Sequence, residues 1–158
     1  MMFDKLTIKR IEEAHPSIRV ELKRQYLEIN KRLPAGVRLR FSSVFRTPEE
    51  QHKLYLKRPK VTKADSWQSI HNYGLAFDIV LLFDLDGNGS FETAKWDNNN
   101  KYWIEVAKYF KSEGWEWGGD WKNFRDYPHF QKSLYSWREL KAMPMVLDPK
   151  TGIKYVKL

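Results

Sequence analysis

The sequence predicts a mixed fold of helices and strands within one domain. Its 158 residues suffice for one buried core, so we expect a single domain over residues 1–158. Apolar residues recur at helical spacing in residues 17–33, which is typical of an amphipathic helix. Residues 75–83 are almost continuously apolar, as in a strand that is buried on both faces.

The remaining elements of the first half follow from local signals. Alternating apolar and basic residues in 37–41 predict a half-exposed strand. Thr47-Pro48-Glu49-Glu50 is typical of a helix start with a capping box, and that helix is expected to reach Lys57. Residues 58–68 are basic and polar without periodicity, which indicates a surface loop.

The second half predicts a helix, short strands and a terminal hairpin. The helix is expected over 99–112 and should end at Gly114, where glycine can adopt the conformation that closes a helix. Short strands are expected at 115–117 and 127–131, and Ser136-Trp137-Arg138-Glu139 predicts a second capping box. Residues 145–156 are typical of a hairpin.

Composition excludes some functions and leaves others open. The chain has no cysteine, so disulfides, a thiolate nucleophile and a sulfur-ligated zinc site are excluded. A net charge of +8 predicts attraction to polyanions, whether nucleic acid, anionic lipid or envelope polymers. The N-terminus lacks the apolar core of a signal peptide and no apolar run spans a bilayer. We therefore expect a protein made in the cytoplasm without an export signal.

The most informative carboxylate is Asp78, which lies inside the apolar strand seven residues after His71. An isolated buried carboxylate costs several kcal/mol or more. Asp78 must therefore be neutralised, paired with a cation or bound to a metal.

A second histidine, His129, follows Asp126 by three residues. Two imidazoles and one carboxylate, with water in the fourth position, form an open catalytic zinc site. Asp126 suits a general base because Pro128 stiffens its connection to His129. The alternative is that both histidines are ordinary polar residues near strand ends.

Three ordered motifs resemble those of the M15 peptidases, which are zinc D-Ala-D-Ala carboxypeptidases and L-Ala-D-Glu endopeptidases of bacterial cell walls, phage endolysins included. Residues 69–78 read SIHNYGLAFD, which is similar to the family's SxHxxGxAxD signature. Residues 126–130 read DYPHF and resemble its second signature. Ser43, Arg46 and Gln51 resemble an upstream SxxRxxxxQ element. Residues 114–121, GWEWGGDW, are similar to an element of the endopeptidase branch, which favours that activity.

The resemblance implies an α+β, Hedgehog/DD-peptidase-like fold, in which helices flank a small, mainly antiparallel sheet with zinc in a groove. It assigns one zinc ion to His71, Asp78 and His129 and makes Asp126 the general base. Arg46 would bind a substrate carboxylate or polarise the scissile carbonyl. Both roles suit the planar, positively charged guanidinium group of arginine. The candidate substrate-binding residues are Arg46, Gln51, Ser69, Trp117 and Asp120.

Residues 84–92 also match part of a calcium loop. Asp84, Asp86, Asn88 and Ser90 fall on ligand positions, but position twelve is Lys95, where a calcium loop needs glutamate. The alternative is a hairpin that turns at the Asp-Gly and Asn-Gly pairs. Calcium is therefore a secondary expectation beside zinc.

Three functions remain open. The first is an endolysin-like endopeptidase that cuts the L-Ala-D-Glu bond of the peptidoglycan stem peptide after release to the wall. The second is a D-Ala-D-Ala carboxypeptidase on the same scaffold. The third, of another class, is a non-catalytic basic module that binds wall polymer or nucleic acid. We expect the stem peptide as partner, no nucleic acid, no membrane span and a monomer.

Overall fold

The computed structural model of the protein describes residues 3–158. Its α-helices are α1 Lys5–Ile11, α2 Arg19–Arg32, α3 Pro48–Leu56, α4 Lys101–Ser112 and α5 Trp137–Lys141. Its strands are β1 Val37–Ser43, β2 Ala76–Phe83, β3 Thr93–Lys95, β4 Glu116–Trp117, β5 His129–Gln131, β6 Met145–Leu147 and β7 Lys154–Val156. Within these residues no helix is both long and apolar enough to cross a bilayer.

The predicted helix starts are confirmed by their caps. The Thr47 side chain accepts a hydrogen bond from the Glu50 amide, and the Glu50 side chain accepts one from the Thr47 amide. Ser136 and Glu139 form the same reciprocal pair at the start of α5. These exchanges satisfy amide groups that the helix itself leaves unpaired.

The main sheet is antiparallel and centres on β2. Its strand order is β1-β2-β5-β4, and β3 also pairs with β2. Because β1 occupies one edge of β2, β3 and β5 share the other edge at its two ends, Leu81–Phe83 and Ala76–Asp78. The helices and the small antiparallel sheet agree with the α+β expectation.

An aromatic core lies on one face of this sheet. The Phe77 ring stacks on Phe41 and Phe130, with centroid distances of 4.2 and 5.1 Å, and meets Phe110 of α4 edge-on at 4.8 Å. Successive residues of a strand point to opposite faces. Asp78, the neighbour of Phe77, therefore points away from the aromatic core.

The terminal hairpin, β6 and β7, is bound to the N-terminal segment. The Tyr155 hydroxyl donates to the Glu13 carbonyl at 2.7 Å, and a ring nitrogen of His15 bonds the Val156 carbonyl at 2.7 Å. Gly74 packs so closely here that an added Cβ would lie 2.6 Å from the backbone nitrogen of His15, and the φ angle of Gly74 is +69°. This position therefore requires glycine. The hairpin supports the turn that carries His71.

Candidate metal centre

His71 and Asp78 meet His129, which lies about 50 residues later in the sequence, at one point on the polar face of the sheet. Each offers a ligand atom, and these atoms all lie within 4.8 Å of one another. Between residues 3 and 158 no other group of three histidine, aspartate or glutamate side chains converges in this way. Both histidines are buried.

A short 3₁₀ turn, Ile70–Tyr73, presents His71. Ser69 precedes the turn, and its hydroxyl accepts a hydrogen bond from the His71 amide at 3.3 Å. The Asn72 side chain accepts one from the Ser69 amide at 3.3 Å, and Gly74 ends the turn. Ser69 therefore shapes the backbone that carries His71 and also lines the cleft beside it.

The sheet brings the other two residues together. Asp78 and His129 are direct partners in the β2–β5 ladder, and Ser43 of β1 is opposite Asp78 on the other side. The β1–β2 register shifts between Phe41 and Ser43. A bulge of this kind twists a strand locally, and it lies beside the carboxylate that the site needs.

Outer hydrogen bonds orient both imidazoles. His71 Nδ1 donates to the Val44 carbonyl at 2.7 Å, and His129 Nε2 bonds the Gln131 side-chain oxygen at 2.7 Å. Since both of these partners are acceptors, each ring carries its proton on the outer nitrogen. The inner nitrogens, Nε2 of His71 and Nδ1 of His129, lie 3.2 and 3.1 Å from Asp78 Oδ1.

The inner atoms are therefore three acceptors facing one another. Two neutral imidazole nitrogens and a carboxylate oxygen cannot satisfy one another without a positive centre between them. Either extra protons or a cation must supply it. Two imidazoles and one carboxylate with open positions are a donor set that suits a catalytic zinc ion.

The carboxylate and the histidines shift one another's ionisation. Burial raises the pKa of Asp78, but the charge and hydrogen bonds of His71 and His129 outweigh burial, so the pKa lies well below its ordinary value. Burial lowers the pKa of His129, but the hydrogen bond and charge of Asp78 outweigh it, so the pKa is raised. Both shifts favour charge separation across the site.

Asp126 lines the same cleft as the three converging residues. The side chain is exposed to the cleft, but partial loss of hydration there, followed by repulsion from Asp78, raises its pKa above the ordinary carboxylate value. The Asp126 amide donates to the Gly118 carbonyl at 3.1 Å, and an added Cβ on Gly118 would overlap the Asp126 carbonyl. Only glycine at 118 allows this approach. A carboxylate with raised affinity for protons beside a metal group is suited to general-base chemistry.

Arg46 also lies in the cleft. Its Nη2 is 3.7 Å from Asp78 Oδ2 and 3.3 Å from the Ser43 hydroxyl, and its Nη1 donates to Gln51 Oε1 at 2.9 Å. Gln51 is fully buried and its amide nitrogen donates to the Ala64 carbonyl at 2.7 Å. Gln51 therefore supports Arg46 and the adjoining loop. Its side chain is not among those that line the cleft, and its contact with substrate stays a prediction.

Trp117 and Asp120 also lie away from the cleft. The Trp117 indole donates to the Tyr127 carbonyl at 2.7 Å and its ring stacks over Phe130. Asp120 is paired with Lys111 at 2.7 Å on the surface. Strand packing holds Trp117 and an ion pair holds Asp120 in these positions outside the cleft.

Sequence reasoning missed three residues around His129. Trp121 lines the cleft, with its ring centroid 5.4 Å from that of His129. Gln131 bonds His129 from outside, and Glu116 accepts hydrogen bonds from both Trp121 and Gln131. Trp121 ends the GWEWGGDW segment, which was a usable signal. The Glu116–Gln131 pairing depends on strand register and had no local signal.

The cleft runs between two loop regions and has a volume of about 560 Å³. One wall comes from residues 61–71 and the other from residues 121–137, and Tyr135 and Trp137 lie on the second wall. The three acceptors, Asp126 and Arg46 all open into this space. The cleft is open to solvent and presents both charged and aromatic groups to a bound chain.

The structure gives no support to calcium at residues 84–92. One oxygen of Asp84 accepts the Gly89 amide at 2.8 Å, and one oxygen of Asp86 accepts the Asn88 amide at 3.1 Å. The segment connects β2 to β3 as the alternative hairpin. The side-chain oxygens of this segment thus accept hydrogen bonds from the backbone of the same segment.

Comparison with known proteins points to one family. A family model described as D-alanyl-D-alanine carboxypeptidase, of the M15 peptidase type, matches residues 62–132. Peptidoglycan L-alanyl-D-glutamate endopeptidase CwlK of Bacillus subtilis is 38% identical over 108 residues, which are 61% of this chain and 61% of that protein. The match thus spans about three-fifths of that relative's length.

A solved structure shares the fold. The crystal structure of the L-Ala D-Glu endopeptidase ChiX of Serratia marcescens aligns with a TM-score of 0.62 and 22% sequence identity. The alignment covers 84% of this chain and 90% of that one. The α+β expectation is therefore confirmed, and the chain shares the fold of the ChiX structure.

Proposed function

We propose that this chain is an M15-type peptidase, a zinc-dependent peptidoglycan peptidase that hydrolyses the L-Ala-D-Glu bond of the stem peptide; the family model and the CwlK relative support this. One observation carries the proposal. His71, Asp78 and His129 present three inward acceptors within 4.8 Å of one another. They lie in an open cleft, where a positive centre can hold them together and a peptide can reach it.

The proposed zinc ligands are His71 Nε2, an Asp78 oxygen and His129 Nδ1. Zinc bound by this set would supply a Lewis acid that activates water and polarises the scissile carbonyl. Hydrogen bonds from the outer ring nitrogens of His71 and His129, to Val44 and Gln131, keep the inner nitrogens free to bind the metal. The ligand geometry is thereby prepared before substrate arrives.

The proposed general base is Asp126. Its raised pKa, caused first by partial loss of hydration in the cleft and then by Asp78, increases its affinity for a proton from the attacking water. Asp126 then holds that proton and delivers it to the nitrogen of the leaving amine. The water oxygen forms a bond to the carbonyl carbon, the bond between that carbon and the nitrogen breaks, and the new acid and amine separate.

Arg46 is the proposed anion-binding group. Gln51 and Ser43 hold its guanidinium in the cleft, at 2.9 and 3.3 Å, which keeps the charged fork in place. A fixed guanidinium can bind a substrate carboxylate with two hydrogen bonds or stabilise negative charge that develops on the carbonyl oxygen.

The choice of substrate rests on the relatives. CwlK and ChiX are both named as endopeptidases for the L-Ala-D-Glu pair. The description of the matching family model instead favours a second candidate, a D-alanyl-D-alanine carboxypeptidase. Both reactions hydrolyse an amide in the same polymer, so the site chemistry would serve either one.

Digestion of purified peptidoglycan distinguishes the two reactions. The zinc-loaded protein is incubated with the polymer, and the new termini are identified by mass spectrometry. We expect new N-terminal D-Glu from the endopeptidase, whereas released D-Ala would select the carboxypeptidase. Asp120→Ala is the matched control for Asp126→Ala, because Asp120 is a nearby carboxylate that lies outside the cleft.

Of Asp120 and Asp126, only Asp126, which lines the cleft, should matter for product formation. Asp120→Ala is expected to digest the polymer as the wild type does, while Asp126→Ala forms no detectable product. Absence of both products with zinc-loaded wild-type protein would overturn the proposed function.

A further inference from the structure

A chain of hydrogen bonds joins β4 to the outer side of His129. Glu116 and Gln131 are direct partners in the β4–β5 ladder. The Gln131 amide nitrogen donates to Glu116 Oε2 at 3.2 Å, and the Gln131 oxygen is 2.7 Å from His129 Nε2. This series of hydrogen bonds therefore runs from the Glu116 carboxylate through the Gln131 amide to the His129 imidazole.

The charge on Glu116 fixes the direction of every bond in this chain. An ionised carboxylate only accepts hydrogen bonds, so the NH₂ group of Gln131 must face Glu116. The oxygen of Gln131 then faces His129, and Nε2 of that ring must carry the proton. Nδ1 is left with its lone pair toward Asp78, 3.1 Å from Oδ1.

We propose that Glu116 and Gln131 are positioning residues that hold His129 in the tautomer and ring orientation needed to bind the metal. The inference rests on the proposed zinc site and extends it beyond the three ligands. Outer hydrogen bonds of this kind orient ligating histidines and are worth about 10–100-fold in metal affinity or activity.

The same carboxylate fixes the cleft wall beside His129. Glu116 Oε2 also accepts from the Trp121 indole at 2.9 Å, and that ring packs 5.4 Å from the His129 ring. Glu116 Oε1 accepts from the Ser133 hydroxyl at 2.6 Å. One side chain thus holds an aromatic wall, an amide and, through the amide, a metal ligand.

His71 provides an internal reference. Its outer nitrogen donates to a backbone carbonyl, that of Val44, at 2.7 Å. A side-chain substitution does not remove this acceptor. The two histidines of the centre are therefore oriented by different means, and only His129 should respond to substitutions in β4 and β5.

The first test measures zinc affinity by competition with a chromogenic chelator. Gln131→Leu keeps the size of the side chain but removes the acceptor, and we expect affinity to fall by about 10–100-fold. Glu116→Ala leaves the Gln131 amide free to turn, and its loss should be smaller. Ser133→Ala is the matched control because it removes a Glu116 partner without touching Gln131, and its affinity should stay within about twofold of the wild type.

A rescue separates positioning from general damage. In the double variant Glu116→Gln/Gln131→Glu, the carboxylate moves to position 131 and still accepts from His129, while the amide moves to position 116 and still donates across the strands. We expect its zinc affinity to return to within about threefold of the wild type. A double variant as weak as Gln131→Leu would contradict the inference.

Nitrogen-15 spectra of the imidazoles give a readout that lost stability alone would not produce. In zinc-loaded wild-type protein we expect His129 to bind through Nδ1 and keep a slowly exchanging proton on Nε2. In Gln131→Leu that proton should exchange rapidly, while the Nδ1 proton of His71 remains slow.

The outcomes separate this inference from the proposed function. Unchanged zinc affinity in Gln131→Leu, or His129 ligation through Nε2 in the wild type, would overturn the inference even if the protein digests peptidoglycan. A wild type that binds zinc with the expected tautomer but digests nothing would support the inference and overturn the proposed function. A wild type that binds no zinc would overturn both.

Discussion

Two parts of this molecule each match a cation-binding pattern, and only one of them gathers buried acceptor atoms that face one another. The metal group, His71, Asp78 and His129, converges from two separate segments, residues 69–78 and 126–130, with both histidines buried. The calcium-like segment, residues 84–92, is largely exposed and lies on a single turn. Both match a ligand spacing in the sequence, so spacing does not explain the difference.

The difference lies in what the oxygen and nitrogen atoms already bind. In residues 84–92, Asp84 and Asp86 accept the amides of Asn88 and Gly89, so the turn satisfies itself. In the metal group, each histidine uses its ring proton in a hydrogen bond to Val44 or Gln131 on the outer side. The inner ring nitrogens and the Asp78 oxygen are therefore all acceptors that face one another. A cation site is therefore marked by converging acceptors that no local donor satisfies.

The largest expected effect separates the carboxylates by chemistry. Asp126→Asn should lower kcat by roughly 10²–10⁴-fold because the proposed proton acceptor is lost, while one zinc stays bound. Asp86→Asn, the matched change in the exposed turn, should leave kcat unchanged. Hydrolysis of purified peptidoglycan, with metal analysis of each variant, checks both. Equal losses in the two variants would remove the distinction between the segments.

Metal-dependent stability tests the same comparison without catalysis. Zinc at about 100 times its Kd should raise the free energy of unfolding by about 2.7 kcal/mol, since it binds only the folded site. His71→Ala should lose this gain, and calcium should give none to the wild type. Denaturant titrations with and without each ion measure the effect. A stabilisation by calcium that survives His71→Ala would reverse the assignment of the two segments.

Asp4, a buried carboxylate outside the cleft, shows how hydrogen-bond donors offset the cost of burying a charge. Asp4 is buried, and burial raises its pKa, but hydrogen bonds from Arg40 and Thr7 outweigh burial and leave the pKa lowered. Its ionised form therefore stabilises the fold above the unfolded pKa of about 3.9, and this gain is lost as pH falls through the lowered native value. Asp4→Asn should cost about 1–3 kcal/mol at neutral pH.

The pH dependence provides the check on Asp4. Below about pH 4 the wild type should lose stability more steeply than Asp4→Asn, because only the wild type takes up this proton on unfolding. Chemical denaturation across pH 2–7 measures both curves. Parallel curves would show that the Arg40 pair contributes no pH-dependent stability.

The smallest expected effect belongs to the exposed turn. Asp84→Asn retains a side-chain oxygen that can accept the Gly89 amide, so the free energy of unfolding should change by less than about 0.5 kcal/mol, with or without calcium. Thermal unfolding of the variant beside the wild type checks this. A calcium-dependent difference between the two proteins would count against a self-satisfied turn.

Local signals predicted much of the fold and part of the site. The capping boxes of α3 and α5 and the apolar β2 strand are visible in sequence because they depend on neighbouring residues. Helix α1 was missed: it is short, and among its residues only Thr7 and Ile11 are buried, so it carries little apolar pattern.

The site shows the same limit. His71 and Asp78 occupy one continuous segment, and their meeting with His129 was predicted from a resemblance rather than from register. Trp117 and Asp120 were expected in the cleft but point elsewhere, because packing on Phe130 and pairing with Lys111 decide their direction. Contacts between side chains on different strands depend on strand register and packing, which the sequence alone does not show.

Zinc stoichiometry tests the central claim most directly. Calorimetric titration of metal-free protein with zinc should give one equivalent for the wild type and for Asp84→Asn/Asp86→Asn, and none for His71→Ala. No binding to the wild type, one equivalent retained by His71→Ala, or binding lost in the turn variant would contradict the assignment of the metal to His71, Asp78 and His129.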